Sequence, residues 1–469
     1  MRDVVQDRPS KLRRFRDPVY DLYTFEDDID QIALALIDTP AFQRLRRIKQ
    51  LGFADHVYPG ASHSRFAHSL GVYAGARMIV KAIQARKDKE DLLDPVETED
   101  AVLAALLHDV GHGPFSHVFE KVHRRALGLD KSHEAWTREI ILHQFADPEG
   151  RSIFSTLRPR QAARIADLLG GNRTNCWSAI VASALDADTL DYVRRDRLMS
   201  GTGTGAIDFT WLLEHARLAE VDVNGSMVRT FAVNRRALQQ AETFLLARYQ
   251  LYDQVYFHKI CRGFECMLVA CVEQLASLVA AKAWTKVGLA ENNALVRHLR
   301  HPTVDTYLLL DDAVMNATLL QIAHGASDEA ADIALLARRI VNREKAHCVD
   351  LESWASIHGK RYSSVVKCAI TFAKGDLGLQ PGRTVFFDEP SLSVYGKGRR
   401  EDVALHKKLW IDTEDERPVE ITALSGVIKG QPAVRKIGRL FFLDEGLSRR
   451  TKEYLNCQVS NLPDQRRTS

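Results

Sequence analysis

The stretch Ala101–Glu120, AVLAALLHDVGHGPFSHVFE, constrains this chain more than any other. It opens with seven apolar residues, closes that run on the adjacent pair His108–Asp109, and turns on Gly111, Gly113 and Pro114 while carrying His112 and His117. An apolar run of this kind predicts a core helix. Packing alone does not explain so many ligand-type side chains at its end, because buried imidazoles and carboxylates cost free energy unless they are paired. The segment reads as one wall of a buried metal site.

Size and charge narrow the class. A chain of 469 residues exceeds the range in which one core keeps growing, so two or three domains are expected. The formal net charge is +3, from 64 basic and 61 acidic residues, so any pull on an anionic ligand comes from local clusters. Seven cysteines, an odd number with no CxxC pair, argue for reduced thiols rather than a disulfide framework. The first residues hold no apolar signal core, and no uninterrupted apolar run reaches membrane-spanning length. The expectation is a cytoplasmic protein with no membrane partner.

Periodicity divides the chain into three parts: an arm or hairpin over 1–27, a helical domain over 28–350, and an α+β lobe over 351–469. Within the helical part, Lys87–Glu99 reads as a charged loop, with the apolar helix starting at Ala101. Trp177–Arg197 reads as one helix, and Arg235–Lys282 as one long helical pattern. Val221–Val233 alternates around Asn224-Gly225, a hairpin signal. After Ser363 the runs become short and β-branched, as in SSVVKCAITFA. The Gly-rich SGTGTG at 200–205 follows a helix and lacks the Lys-Ser/Thr of a phosphate loop, so it reads as a flexible connection.

Two further segments supply partners for His108 and Asp109. His68 lies in the helical pattern SRFAHSLGV, with Leu70 and Val72 available to bury it. Asp186, Asp188 and Asp191 crowd into the apolar SAIVASALDADTLDYV, where carboxylates repel unless some face a cation. The expected ligand set is His68, His108, Asp109 and Asp188. Such a mixed nitrogen and oxygen set suits one divalent ion, among Mn, Mg, Fe, Zn, Ni and Co, with positions open to water and substrate.

The ordered H…HD…D set, together with IKQLG, YPGASHSRFAHSLGV, HDVGHGPFSH and DYVRRD, resembles the HD-domain phosphohydrolases. Within them it is most similar to the deoxynucleoside triphosphate (dNTP) triphosphohydrolases of animals and bacteria. The resemblance runs from about Arg14 to Lys259. It implies a mainly α fold, an HD-domain helical core with a smaller α+β C-terminal lobe. It also implies metal-dependent hydrolysis of a dNTP to deoxynucleoside and inorganic triphosphate, with a further Mg²⁺ accompanying the nucleotide.

Carried over by position, His117 and His133 match catalytic histidines and His112 a phosphate-contacting one, while Glu120 stands where the animal enzyme has Asp. Arg65 and Arg248 match polyphosphate-gripping positions, and Tyr192 and Asp196 substrate contacts. Gln50 and Leu51 match the sugar-sensing corner, and Tyr256 and His258 the sugar and base side. Thr189 and Tyr252 replace a Lys and a His of the animal enzyme. Asp38, Gln43 and Arg46, in DTPAFQRLR, match a stretch that reads a guanine-nucleotide activator, GTP or dGTP, in homo-oligomers of this branch; a helix cap with a solvated face is the bland reading of the same residues.

Two other functions stand beside this one. One is an HD phosphohydrolase for another nucleotide or a single-stranded nucleic-acid end. The other is a catalytically silent nucleotide-binding scaffold. The basic clusters KLRRFR, RLRRIK and VRKIGR make nucleic acid a secondary partner at best.

Overall fold

The chain is described by a computed structural model covering residues 13–85, 94–146, 154, 156–171, 176–203, 207–223, 225–397, 404, 407–413 and 417–464. Within the expected N-terminal arm, Arg13–Asp17 and Asp21–Phe25 pair as an antiparallel hairpin, with Arg13 opposite Phe25 and Asp17 opposite Asp21. Residues 1–12 of that arm lie outside the described residues, as do most of the expected 87–99 loop and the end of SGTGTG. The fold is mainly helical, with four small sheets of two to four strands among the described residues.

Four helices carry the site. Arg65–Gln84 starts at Ser64, whose hydroxyl accepts from the Ala67 amide. Pro95–Leu107 begins six residues before the apolar run, because Asp94 caps it and Pro95 suits its first turn. Its charged Glu99 and Asp100 are buried by pairing: Arg158 and Gln161 bond Glu99, and Gln161 and Arg164 bond Asp100. From Thr98 to Leu107 every residue is buried, so this helix is surrounded by its own domain. His133–Phe145 is capped by Ser132, and Ala187–Ser200 by Asp186.

That last helix corrects the expected single helix over 177–197. Cys176–Ile180 is a separate short 3₁₀ turn, and the Asp186 carboxylate accepts from the Thr189 amide at 2.7 Å to start a new helix. Gly71 lets the Arg65–Gln84 helix approach it, since a Cβ there would collide with the Asp191 carboxylate and the Arg195 guanidinium.

The 235–282 pattern likewise divides, into Leu238–Leu251 and Lys259–Ala280, joined by a wide turn over Tyr252–Tyr256. Lys259–Ala280 is, among the described residues, the one helix long and apolar enough to cross a membrane by length and composition. Here it forms core, with Phe264, Met267, Leu268 and Leu275 fully buried.

The β-branched run after Ser363 is not a strand. Tyr362–Lys374 is a helix that buries Val365, Ala369, Phe372 and Ala373, so helical spacing of the apolar residues overrides β propensity. The expected β character lies elsewhere in this region: Arg439–Phe442 is the central strand between His347–Asp350 and Val385–Asp388. It points Leu440 and Phe442 into a small local core while Phe441 enters the main one. Ala216–Val223 and Ser226–Asn234 form the expected hairpin, with Asn224 of its turn outside the described residues. Trp410–Asp412 pairs in parallel with Ser226–Asn234, so the C-terminal stretch adds a strand to that hairpin of the helical part.

Candidate active site

His68, His108, Asp109 and Asp188 converge from three helix ends. His68 Nδ1 donates to Asp191 Oδ2 at 2.7 Å, and His108 Nδ1 to the Ala105 carbonyl at 2.8 Å. These bonds fix both tautomers and leave each Nε2 as a lone pair directed inward. Around those lone pairs stand carboxylate oxygens: Asp188 Oδ1 at 3.0 Å from His68 Nε2, and Asp109 Oδ1 at 3.2 Å from His108 Nε2. Despite the short distances, neither Nε2 makes a hydrogen bond of sound geometry, and both are buried. Four acceptors facing one point need a cation between them; His68, His108 and Asp109 lie close enough together to hold a metal ion, and Asp188 Oδ1 stands beside them near His68.

Electrostatics agree with this. Burial alone would lower the His68 pKa, yet Asp188 and Asp191 outweigh it and push it up to about 10, so the carboxylates around this ring favour a positive charge among them. Asp109 is fully buried but held well below the usual carboxylate range by Arg65, His108 and His112, which together overcome desolvation. Asp191, the partner of His68, is itself held by Arg195, which reaches on to Asp17 of the N-terminal hairpin at 2.8 Å. Asp186, Asp188 and Asp191 thus have three separate tasks: helix cap, inward carboxylate, and orientation of His68.

A second cluster abuts the first through Asp109, whose Oδ1 is also 3.2 Å from His112 Nε2. His112 stacks on His133 with ring centres 4.0 Å apart. Glu120 Oε1 accepts from both His117 Nδ1 (3.0 Å) and His133 Nδ1 (2.7 Å). Burial opposes ionisation of Glu120, but the two imidazoles outweigh it and hold the carboxyl far below its ordinary range. The pair is thereby split. His133 is raised, since Glu120 overcomes the burial that would lower it, whereas His117 and His112 are lowered by burial. His117 is 61% exposed at its side chain and Asp188 40%, whereas His68, Asp109 and His112 are buried, so the two clusters form a cleft that opens to solvent at these residues.

The turn that joins the two clusters is built tightly. Gly111 lies against the His133–Phe145 helix, where a Cβ would collide with the Thr137 amide nitrogen and the His133 carbonyl. Phe115 and Ser116 both adopt positive φ, 54° and 61°. That strain is held by partners: the Phe115 amide donates to Asp312 Oδ1 at 2.7 Å, and Ser116 Oγ donates to the Lys49 carbonyl at 2.8 Å. Buried Arg44 donates to the carbonyls of Val110, His112 and Leu310. Gly111→Ala is expected to cost about 1–3 kcal/mol, read from denaturant unfolding, and to lower turnover with it, because the helix bearing His133 must shift.

Several of the expected substrate residues stand beside these clusters. Gln50 Oε1, Tyr192 Oη and Arg248 Nε are buried without hydrogen-bond partners, and the Arg248 guanidinium stands 6.0 Å from the Tyr192 ring centre. Leu51 packs against the core. Asp196 accepts from Tyr256 Oη at 2.5 Å and from His63 Nε2 at 2.8 Å. Arg65 is 3% exposed, paired with Asp109 and donating to Ser116 Oγ at 2.9 Å, so it braces the turn from below. His258 uses Nδ1 to cap the Lys259–Ala280 helix.

Asp38, Gln43 and Arg46 do come together. They line a surface cavity of about 330 Å³ with Arg13, Arg14 and Phe15 of the hairpin. Asp38 accepts from Arg13 at 2.6 Å, and Gln43 Oε1 from Arg46 Nε at 2.8 Å.

Comparison with known proteins adds to this geometry. Family models for the HD domain and for an HD associated region match residues 65–181 and 207–319. The chain is 33% identical over 341 residues to uncharacterized protein YwfO of Bacillus subtilis, covering 71% of each chain. It is 30% identical over 254 residues to a protein named deoxynucleoside triphosphate triphosphohydrolase SAMHD1 homolog in Dictyostelium discoideum. That alignment covers 51% of this chain and 46% of the relative, so the chain spans about half of that protein's length. In fold it resembles the crystal structure of a phosphohydrolase from Bacteroides thetaiotaomicron, with a TM-score of 0.69 at 21% identity, covering 92% of this chain and 100% of the other.

Proposed function

The chain belongs to the HD-domain phosphohydrolase family, and on that premise we propose that it hydrolyses dNTPs to deoxynucleoside and inorganic triphosphate. One observation carries the reading most of all. Among the described residues, six buried polar atoms without hydrogen-bond partners belong to the candidate site: His68 and His108 Nε2, His112 Nδ1, Gln50 Oε1, Tyr192 Oη and Arg248 Nε. Buried polar groups are normally satisfied, so this cleft is shaped for a polar ligand and a cation.

A divalent ion held by His68, His108, Asp109 and Asp188 would polarise a phosphate oxygen and lower the pKa of a bound water. The protein supplies the rest. Water attacks the α-phosphorus, the bond from that phosphorus to the 5′-oxygen breaks, and the proton shed by the water passes to solvent. The leaving oxygen needs a proton, and of the two imidazoles bridged by Glu120, His133, whose pKa that carboxylate raises, is the better placed to supply it. With both Nδ1 atoms engaged by Glu120, each ring has Nε2 left for the cleft. Arg248 places a fixed cation at its wall, suited to two phosphate oxygens at once.

The same reading extends to control. The cavity of Asp38, Gln43 and Arg46 pairs a carboxylate, which suits guanine N1 and N2 donors, with arginines that suit phosphate, and Arg13 and Arg14 add to that charge. A guanine nucleotide would activate a homo-oligomer from this position. The test is a product-resolved assay of all four dNTPs, with and without GTP or dGTP, across Mn²⁺, Mg²⁺, Fe²⁺ and Zn²⁺. Triphosphate with deoxynucleoside is the expected product pair; orthophosphate or pyrophosphate would refute the reading.

A further inference from the structure

His123 and His298 take no part in the metal or proton chemistry, yet they meet in the core behind it. Both rings are buried, and their Nε2 atoms lie 2.9 Å apart. Two neutral imidazoles share such a contact only if one donates and the other accepts, and their neighbours decide which. Thr306 gives its hydroxyl hydrogen to the His301 carbonyl at 2.7 Å, so its oxygen accepts from His298 Nδ1 at 3.0 Å. His298 Nε2 is then the acceptor and His123 Nε2 the donor. His123 Nδ1 in turn accepts from Trp136 Nε1 at 3.4 Å. The run Trp136–His123–His298–Thr306 is thus bonded in one direction, with no ring nitrogen left unpaired. Burial keeps both rings neutral, pushing the His123 pKa down to about 4 and that of His298 to about 3. Lys131 lowers both further, Arg44 lowers His298, and Glu120 opposes the shift of His123.

This run ends on the proton pair. His123 stands three residues after Glu120 and opens the wide turn His123–Leu127, while Trp136 stands three residues after His133 on the His133–Phe145 helix. The Trp136–His123 bond is therefore a second tie between the helices that carry Glu120 and His133, one turn behind the 2.7 Å bond joining those two side chains. Trp136 also stacks on Tyr307 with ring centres 4.1 Å apart, and Tyr307 Oη donates to the Gly111 carbonyl at 2.7 Å. We propose that His298 is a positioning residue for the proton pair: through His123 it holds the helix of Glu120 against the helix of His133. This rests on the hydrolase reading above, in which that pair supplies the proton to the leaving oxygen. Without an acceptor at 298, the His123 Nε2 hydrogen is a buried orphan, so the ring must turn away and the helix end past Glu120 loosens.

The experiment follows the His133 imidazole by NMR of histidine-labelled protein, assigned with His133→Ala, in the wild type, His298→Leu and His298→Gln. Metal content, dNTP kinetics and the unfolding midpoint are recorded alongside. His298→Leu keeps a bulky side chain but removes the acceptor, whereas the amide oxygen of His298→Gln again accepts from His123. In His298→Leu the His133 pKa is expected to drop by about half a pH unit or more and kcat by about tenfold, with KM and bound metal level. His298→Gln recovers most of both. A purely structural role would lower the unfolding midpoint and leave the His133 titration of the folded protein where it is. That result, or a His298→Gln as impaired as His298→Leu, overturns the inference. The titration needs no substrate, so a wild type that turns over no dNTP refutes the functional reading while the His133 shift still decides the role of His298.

Discussion

His108→Ala is expected to remove bound metal and to lower kcat/KM by about a thousandfold or more, with the fold retained. The reason lies in what each proposed ligand does besides facing the place a cation would take. His108 Nδ1 bonds only the carbonyl of Ala105 at the end of its own helix, so truncation costs one local bond. Asp109 is different: it pairs with Arg65, and both side chains are buried. Asp109→Ala leaves that guanidinium charged and uncompensated in the interior, a change worth about 3–5 kcal/mol of stability. His68→Ala is intermediate, because Asp191 keeps Arg195 as a partner. The ordering of unfolding midpoints should therefore be His108→Ala above His68→Ala above Asp109→Ala, while all three lose metal by elemental analysis. Full metal content and activity in His108→Ala would remove this cluster from consideration as the metal centre.

How far the sequence foretells this site depends on how far apart the partners lie along the chain. His108, Asp109, His112, His117 and Glu120 fall within thirteen positions, so the motif alone is enough to group them. What it does not show is the support. Arg44 reaches the His112 carbonyl across 68 positions, Asp312 reaches Phe115 across 197, and Arg195 reaches Asp17 across 178. No periodicity encodes such pairs; only the fold brings them together. Crowding of Asp186, Asp188 and Asp191 is legible as an oddity, but the division of labour among them depends on where the helix starts, which Asp186 decides by capping it. The helical class is legible throughout, while Tyr362–Lys374 shows local β propensity giving way to the spacing of buried residues. Nothing in the KVHRRAL stretch sets His123 apart from its neighbours, because its significance comes from His298.

The pH profile tests the proton chemistry more sharply than any truncation. In the wild type, Glu120 is held ionised by the two imidazoles, and it raises the pKa of His133 above the ordinary imidazole value while burial lowers that of His117. Activity should therefore rise from acid as His117 and His112 become neutral, and fall on the alkaline side as His133 loses its proton. Glu120→Gln keeps the shape of the side chain but removes the charge that raises His133. With desolvation no longer outweighed, the His133 pKa drops, and the alkaline limb must move toward acid. His117 also loses the support of Glu120, so the acid limb moves the same way. A loss in kcat of about 10- to 100-fold at neutral pH should accompany the shift and deepen as pH rises, the range found when a partner that orients a reacting histidine is removed. His133→Ala should cost more, about 10²- to 10⁴-fold, and abolish the alkaline limb. Metal content in Glu120→Gln should match the wild type, because Glu120 contacts His117 and His133 and none of the four inward-facing ligands. A Glu120→Gln profile with both limbs unmoved would show that the imidazole pair does not supply the proton, whatever the metal does.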